Sequence, residues 1–216
     1  MGRHRLGVVV PAFNEANTIT SVVEAVCRYG VPIVVDDGSS DETAKLAAIS
    51  GATVVSHGVN KGYDKALESG IVKADEIGCE FVVTIDADGQ HDPESLHRYL
   101  ELLDAGADVV IGIRDKRQRF AEHVFAWVAR VKWGICDPLC GMKGYRIDVY
   151  RKLGHFDSYG SVGTELAIFA AKRGMKIAQL PVKTCDREDA PRFGSRFSAN
   201  RRILCALWNG LLLKVT

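Results

Sequence analysis

An acidic segment at residues 82–94, VVTIDADGQHDPE, carries the side chains best suited to chemistry. It places four carboxylates within nine positions, directly after a run of β-branched residues. Carboxylates this close together repel one another, and a bound cation would offset that repulsion. The carboxylates of Asp86 and Asp88, with the amide of Gln90, form an all-oxygen set that suits Mg²⁺ or Mn²⁺. The segment predicts a divalent-metal site, and the alternative is that these acids solvate the loop or cap the next helix.

Polar clusters also follow the other strands predicted in the first half of the chain. They are PAFNE at 11–15, DDGS at 36–39, HGVNKG at 57–62, DADGQH at 86–91 and GIR at 112–114. Parallel strands carry ligand sites beyond their carboxyl ends, so we expect these clusters to converge on one crevice. Asp36 and Asp37 suit hydrogen bonding to a base or ribose, or a simple turn, and Lys61 suits a phosphate or a surface turn. No Walker or G-x-G-x-x-G loop is present, which disfavours ATPases and nicotinamide enzymes.

The elements that would position these clusters alternate between strand and helix. Strands are predicted at 6–11, 31–35, 52–56, 81–85 and 109–113, with further candidates at 141–146 and 176–181. Helices are predicted from Asn14 or Asn17 to about 28, from a Ser39–Glu42 capping box to about 50, and at 61–76, 93–104, 121–133, 163–173 and 198–213. Asp92 is expected to cap the helix that begins at Pro93. Apolar strands alternating with helices predict an α/β fold with a mostly parallel sheet covered on both faces.

Composition limits the class of protein. A chain of 216 residues with 47% apolar and 25% charged residues predicts one globular domain with a sizeable core. A net charge of +1 argues against bulk binding to nucleic acid. No apolar run approaches about 18 residues, so we expect no spanning helix, no signal peptide and a cytoplasmic location. Six scattered cysteines indicate reduced thiols, and Cys136 and Cys140 lack partners for a zinc site.

The motifs taken together carry a resemblance. They are PAFNE at 11–15, VDDGSSD at 35–41, NKG at 60–62, DADGQ at 86–90, VIGIR at 110–114, DPLCG at 137–141, GYR at 144–146, Arg187 and GSR at 194–196. In this order and spacing they resemble glycosyltransferase family 2, and more narrowly its dolichyl- or polyprenyl-phosphate sugar synthases. The resemblance implies one GT-A domain over 1–216, with a nucleotide-sugar-binding half at 1–113 and an acceptor-binding half at 114–216. It also implies an inverting enzyme that uses Mg²⁺ or Mn²⁺.

The same resemblance implies roles for individual residues. The nucleotide of a GDP- or UDP-linked sugar would be held by Pro11, Phe13, Glu15, Val35, Asp37, Asp86, Ala87 and Asp88. Asp86, Asp88 and Gln90 would hold the metal. The catalytic residues would be Asp88, Arg114, Arg187 and Arg196, and the acceptor would be bound by Arg114, Arg130 and Cys140. Arg196 stands where the synthases usually carry lysine, and Cys140 where they usually carry serine or threonine.

The acceptor can be a lipid phosphate or a sugar hydroxyl. A phosphate is already ionised and needs cations, whereas a hydroxyl needs a general base. The basic run at 114–132 suits a phosphate, or is a solvated helix face: Arg114, Lys116, Arg117, Arg119, Arg130 and Lys132. Glu165 and Asp137 are the candidate bases for a saccharide hydroxyl, while His91 and His97 suit local hydrogen bonding. A non-catalytic nucleotide-sugar-binding protein is disfavoured, because Asp86, Asp88, Gln90 and the late arginines occur together.

The last predicted helix suggests how such a protein could meet a lipid. One of its faces is apolar, and the chain around it is basic: Leu204, Leu207, Trp208, Leu211 and Leu212, with Arg196, Arg201 and Arg202. A helix of this kind either lies in a membrane interface or packs its apolar stripe in the core. Peripheral contact with the cytoplasmic face of a membrane is therefore an expectation.

Overall fold

The computed structural model describes residues 5–117, 119–183 and 196–213, and at 196 and 197 the backbone alone. Arg187 and the side chain of Arg196 thus lie outside the described residues. The strands are β1 (Leu6–Ala12), β2 (Val31–Asp36), β3 (Thr53–Ser56), β4 (Phe81–Thr84), β5 (Val109–Arg114), β6 (Lys143–Arg146) and β7 (Ile177–Val182). The helices are α1 (Ile19–Val26), α2 (Thr43–Ile49), α3 (Tyr63–Glu76), α4 (Leu96–Asp104), α5 (Phe120–Trp133), α6 (Ile147–Leu153), α7 (Glu165–Lys172) and α8 (Arg196–Leu212).

The seven strands form one sheet in the order β3-β2-β1-β4-β6-β5-β7. All neighbouring strands are parallel except where β6 pairs with β4 and β5. The predicted mostly parallel sheet is confirmed. Strands from both predicted halves share this sheet, and the division at residue 113 stays a prediction.

Apolar side chains alternate between the two faces of the sheet, as strand geometry requires. In β1, Leu6, Val8 and Val10 enter one core cluster, while Val9 enters the other. All four are buried because helices cover both faces. Helices α3, α5, α7 and α8 contribute to the cluster that contains Val9, and α1 and α4 to the opposite one. Within the described residues, no helix combines the length and apolarity needed to cross a bilayer.

The helix caps predicted at Asn14 and Ser39 are wrong for one physical reason, and the alternative cap at Asn17 lies one residue before the observed N-cap, Thr18. The Ser39 hydroxyl accepts from the Asn14 backbone N–H at 2.9 Å, and the Asn14 amide oxygen accepts from the Ser40 N–H at 2.8 Å. These side chains join the two loops instead of capping their own helices, so α1 begins at Ile19 and α2 at Thr43. Helix α6, which was not predicted, follows β6 without a loop. The Asp92 cap is confirmed, since its carboxylate accepts from the Glu94 N–H in a 3₁₀ turn at Pro93–Ser95.

Candidate active site

The carboxyl ends of the parallel strands bring the predicted polar clusters to one edge of the sheet. Ala12 at the end of β1 is in register with Asp36 at the end of β2, and Asp36 with Ser56 at the end of β3. Bonds between loops close the arrangement, including the Glu15 N–H to the Thr43 hydroxyl at 2.8 Å. The predicted convergence of these segments is therefore present in the structure.

Asp37 is bound to the backbone of a neighbouring loop. Its two carboxylate oxygens accept from the N–H groups of Lys61 and Gly62, both at 2.8 Å. Oδ1 also lies 2.7 Å from Nδ1 of His57, whose Nε2 lies 2.9 Å from the Ser69 hydroxyl. The residue is 3% exposed. Asp37 therefore fixes the β3–α3 loop, and its contact with a nucleotide stays a prediction.

Asp86 is held in a different way, by side chains. The Tyr63 hydroxyl donates to Oδ1 at 3.1 Å, and Nε2 of His91 lies 3.4 Å from Oδ2. The Asp86 side chain is 32% exposed, while His91 is buried, and its Nδ1 has no hydrogen-bond partner in the part of the chain that the structure describes. Burial raises the pKa of Asp86, but the hydrogen bond and charge of His91 and the hydroxyl of Tyr63 outweigh it, and the pKa is lowered. The carboxylate is thus ionised at neutral pH.

A glycine makes room for this carboxylate. A Cβ atom placed on Gly141 would lie 2.2 Å from Oδ2 of Asp86, which is far inside van der Waals contact. Burial, and after it the charge of Asp86, raises the pKa of Tyr63 well above its usual value, so the phenol stays protonated and donates. Tyr63 and Gly141 thus shape the space that Asp86 occupies.

The donor atoms at the end of β4 fit a hard divalent cation. Asp86 and Asp88 supply carboxylates and Gln90 an amide, and all three are partly exposed. The Asp88 carboxylate also accepts from the Gln90 N–H at 3.1 Å. In the described part of the chain, no group of three or more His, Cys, Asp or Glu side chains is placed to hold a metal alone. Mg²⁺ is commonly bound by one or two carboxylates with substrate phosphates completing its shell, and these residues suit that mode.

Lys143 is a functional candidate that sequence reasoning missed. It lies on β6 at 4% exposure, and its ammonium donates to the Cys140 carbonyl at 2.6 Å. Burial lowers its pKa, while the nearby charges of Asp137 and Asp86 oppose that shift. The one sequence feature that could have pointed to Lys143 was a lysine within the short strand candidate at 141–146. Tyr63 was also missed, and its signal was an aromatic residue directly after the NKG loop.

Arg114 is engaged in a buried ion pair. Its Nε donates to Oδ2 of Asp137 at 2.8 Å and its Nη2 to Oδ1 at 2.9 Å, and Nη2 also lies 3.3 Å from Glu122. Although burial raises the pKa of Asp137, the Arg114 guanidinium more than offsets this and lowers it. Burial alone would lower the pKa of Arg114, but the hydrogen bond and charge of Asp137 outweigh it, and the pKa is raised. The contact of Arg114 with a phosphate stays a prediction.

The two candidate bases are both buried and bonded. Asp137 is 1% exposed and paired with Arg114, and Glu165 is fully buried at the start of α7. The Glu165 carboxylate accepts from the N–H and hydroxyl of Ser158 at 2.6 and 2.7 Å, and lies 3.1 Å from His155. Both carboxylates thus support the fold in this structure.

The other predicted site residues differ in exposure. Phe13 is exposed and Pro11 partly so, whereas the side chains of Glu15, Val35 and Ala87 are buried. Arg130 is exposed on α5, and Cys140 is fully buried, where burial raises the pKa of its thiol to about 11. Arg196 begins α8, and Arg187 lies outside the described residues. The roles assigned to all of these residues stay predictions.

Comparison with known proteins places the chain among enzymes. Residues 7–126 match the family described as Glycosyl transferase family 2. The chain belongs to this family. It is 31% identical over 195 residues to the dolichyl-phosphate hexose transferase of Haloferax volcanii, covering 84% of this chain and 83% of that protein. It is 31% identical over 205 residues to the polyprenol monophosphomannose synthase of Mycolicibacterium smegmatis, covering 84% and 77%.

The fold of this family-2 glycosyltransferase also has solved neighbours. The glucosyl-3-phosphoglycerate synthase of Mycobacterium tuberculosis, solved with Mn²⁺, UDP and glucosyl-3-phosphoglycerate, superposes with a TM-score of 0.77 at 24% identity. The match covers 99% of this chain and 82% of that one. It confirms the predicted GT-A fold, while the family match confirms the predicted enzyme class.

Proposed function

We propose that this glycosyltransferase is an inverting, metal-dependent enzyme that moves a sugar from a GDP- or UDP-linked donor to a polyprenyl or dolichyl phosphate. The observation that carries the proposal is the pair of relatives above, one named for dolichyl phosphate and one for polyprenol phosphate, each aligned over most of both chains. The Asp86 carboxylate, ionised and partly exposed at the end of β4, supports the metal-dependent chemistry.

Asp86, Asp88 and Gln90 would hold Mg²⁺ or Mn²⁺ at the end of β4. When bound, the metal supplies Lewis-acid stabilisation of the negative charge that develops on the departing diphosphate. Tyr63 and His91 orient the Asp86 carboxylate, and Gly141 leaves it room. The nucleoside would lie against the loops after β1 and β2, where the exposed Phe13 ring offers a stacking surface.

A phosphate acceptor suits the electrostatics of the second half of the chain. A hydroxyl acceptor would need a general base, and both candidate carboxylates, Asp137 and Glu165, are buried and engaged. A phosphate needs cations, and Lys116 and Arg130 are exposed. Arg114 would support this region from its ion pair with Asp137. Arg187 and Arg196 would close over the donor phosphates.

A polyprenyl chain resides in a bilayer, so the enzyme would meet its acceptor at a membrane surface. We therefore place it, as part of the same proposal, in peripheral contact with the cytoplasmic face of the membrane. Helix α8 supports such contact, because basic residues in its first half, Arg201 and Arg202, are followed by apolar residues such as Leu204 and Trp208.

A transfer assay tests the proposal directly. Radiolabelled GDP-mannose, UDP-glucose and UDP-GlcNAc would be offered with undecaprenyl or dolichyl phosphate, in Mn²⁺ or in EDTA. We expect label to enter the organic phase with one of the three donors, and only when Mn²⁺ is present. Transfer that persists in EDTA would refute the metal dependence. Label that appears on a saccharide and never in the organic phase would refute the lipid acceptor.

A further inference from the structure

Helices α5 and α8 expose most of the large apolar side chains found on the surface. Seven of the eleven exposed large hydrophobic residues in the described part of the chain lie on these two helices. They are Phe120, Trp127 and Val131 on α5, and Leu204, Trp208, Leu211 and Leu212 on α8. Soluble surfaces rarely gather apolar residues in this way without a partner. We call these seven residues the aromatic face.

On each helix the exposed residues form one stripe. Phe120, Trp127 and Val131 are seven and four positions apart, a spacing that keeps them on one side of α5. Leu204, Trp208 and Leu211 are four and three positions apart and share one side of α8. The two tryptophans are 68% and 64% exposed. Each stripe therefore includes a tryptophan whose side chain is mostly exposed.

The two stripes lie on the same outer side of the molecule. Helices α5 and α8 pack against each other. The opposite sides of both helices enter one core cluster, through Phe125 and Ala129 on α5 and Ile203 and Ala206 on α8. Because both helices bury their inner sides in the same core, their outer stripes face away from it together.

Among the described residues of α5 and α8 themselves, the exposed charged side chains are all basic. Arg130, Lys132 and Arg201 are exposed on these helices. The sequence of α8 contains no acidic residue, and the single one in α5, Glu122, is 4% exposed and paired with Arg114 and Arg119. A groove of about 510 Å³ along α8 places Arg201 beside Leu204 and Trp208. An anionic partner with an apolar interior matches this combination.

We infer that the aromatic face of α5 and α8 docks on the surface of a bilayer rich in anionic lipid. Tryptophan and leucine would enter the interfacial layer, and the cations would lie among the headgroups, as on amphipathic helices that lie in a membrane plane. The inference extends the proposed membrane contact from one helix to a surface built by two. It rests on the proposed function only for the purpose of such docking, since none of the seven residues of the aromatic face is assigned to the predicted site.

The two exposed tryptophans allow a direct binding experiment. The full chain would be mixed with vesicles of phosphatidylcholine and phosphatidylglycerol, or of phosphatidylcholine alone, with no nucleotide sugar or polyprenyl phosphate. We expect co-sedimentation and a blue shift of tryptophan fluorescence with the anionic vesicles, both reversed by high salt. Failure of the wild-type protein to bind anionic vesicles, or equal binding to neutral ones, would overturn the inference.

Matched variants locate the surface. Trp127→Glu with Trp208→Glu should weaken binding by about tenfold or more, and Arg201→Ala by about fivefold. Ile49→Glu and Lys45→Ala change exposed residues of α2 in the same chemical way and should bind like the wild type. Equal loss in the α2 variants would contradict the assignment. So would a lipid-free dimer that the tryptophan variant dissociates, because the face would then bind a second copy.

Transfer to a short, water-soluble prenyl phosphate separates this inference from the proposed function. The tryptophan variant should retain that transfer while losing vesicle binding. Vesicle binding without any transfer would refute the proposed function and leave the face in place. Transfer without vesicle binding would refute this inference and leave the proposed function in place.

Discussion

The acidic residues after β2 and after β4 look alike in the sequence but are held in different ways. Asp37 is 3% exposed, and its oxygens accept two backbone N–H groups of the β3–α3 loop. Asp86 is about one-third exposed and contacts the side chains of Tyr63 and His91. A carboxylate bonded to the backbone is part of the fold. One oriented by side chains can bind a cation without releasing a loop.

Two glycines extend the same comparison. Gly38 follows Asp37 with a φ of +79°, and a Cβ atom there would lie 2.7 Å from the backbone nitrogen of Asn60. A Cβ atom on Gly141 would instead meet the Asp86 carboxylate. Substitution at Gly38 thus strains backbone, while substitution at Gly141 displaces a side chain. We therefore expect substitutions in the first region to lower stability and those in the second to affect the proposed metal chemistry.

The largest effect is expected at the β4 end. Asp88→Ala should lower transfer by a factor on the order of 1,000, because a Lewis-acid metal supplies several kcal/mol of transition-state stabilisation. Thermal unfolding should stay close to that of the wild type. Mn²⁺ binding, followed by electron paramagnetic resonance, should weaken in parallel. Glu94→Gln changes an exposed acid of the same loop and serves as the control. Appreciable Mn²⁺-supported transfer by Asp88→Ala would contradict the metal assignment.

Substitution of the acidic residue after β2 should lower the stability of the fold. Asp37→Ala leaves the N–H groups of Lys61 and Gly62 and the ring of His57 without their acceptor, so unfolding in urea should become easier by about 3 kcal/mol. The parallel variant Asp86→Ala should change the free energy of unfolding far less, since its partners are side chains at a partly open site. If Asp37→Ala and Asp86→Ala lower the free energy of unfolding equally, the proposed distinction between these two carboxylates is wrong.

The sheet was predictable because buried parallel strands leave a simple pattern. Runs such as Val8-Val9-Val10 and Val82-Val83, each followed by polar residues, fix both the strands and the edge where the site lies. This pattern does not determine the order of the strands in the sheet, which was not predicted. A strand was a candidate at 141–146, where the structure has β6, but its antiparallel direction could not be derived, because its four residues, Lys143–Arg146, contain no apolar run.

The partners of the acidic residues were not predictable from local sequence. Asp37 meets Gly62 and Asp86 meets Tyr63 across 25 and 23 positions of chain, and the Ser39–Asn14 bond spans another 25. Local capping rules chose a Ser39–Glu42 box, while the folded chain used Ser39 to join two loops. Pairings of this kind depend on the packing of strands, which a motif does not encode.

A substitution at Gly141 tests whether Asp86 needs the space beside its carboxylate. Gly141→Ala should push the carboxylate from its place and lower both Mn²⁺ affinity and transfer by between about tenfold and a hundredfold, the range for groups that orient metal ligands. The atom displaced is the end of a side chain, so the fold should survive. Gly58→Ala, in a nearby loop with no atom within 4 Å of the added Cβ, is the matched control. Unchanged Mn²⁺ affinity in Gly141→Ala would remove Gly141 from the site.

The smallest effect sharpens the comparison most. Tyr63→Phe removes one hydroxyl from Asp86 and keeps the ring, so Mn²⁺ affinity and transfer should fall by about tenfold, the low end for an orienting hydrogen bond. Stability should change little, because Asp86 keeps His91 and some solvent. Tyr145→Phe removes a buried hydroxyl that has no hydrogen-bond partner among the described residues, and it should leave Mn²⁺ affinity unchanged. If Tyr63→Phe lowers stability but not Mn²⁺ affinity, Asp86 belongs with Asp37 as a structural carboxylate. Loss of affinity at constant stability would instead identify Tyr63 as the residue that positions Asp86 for the metal.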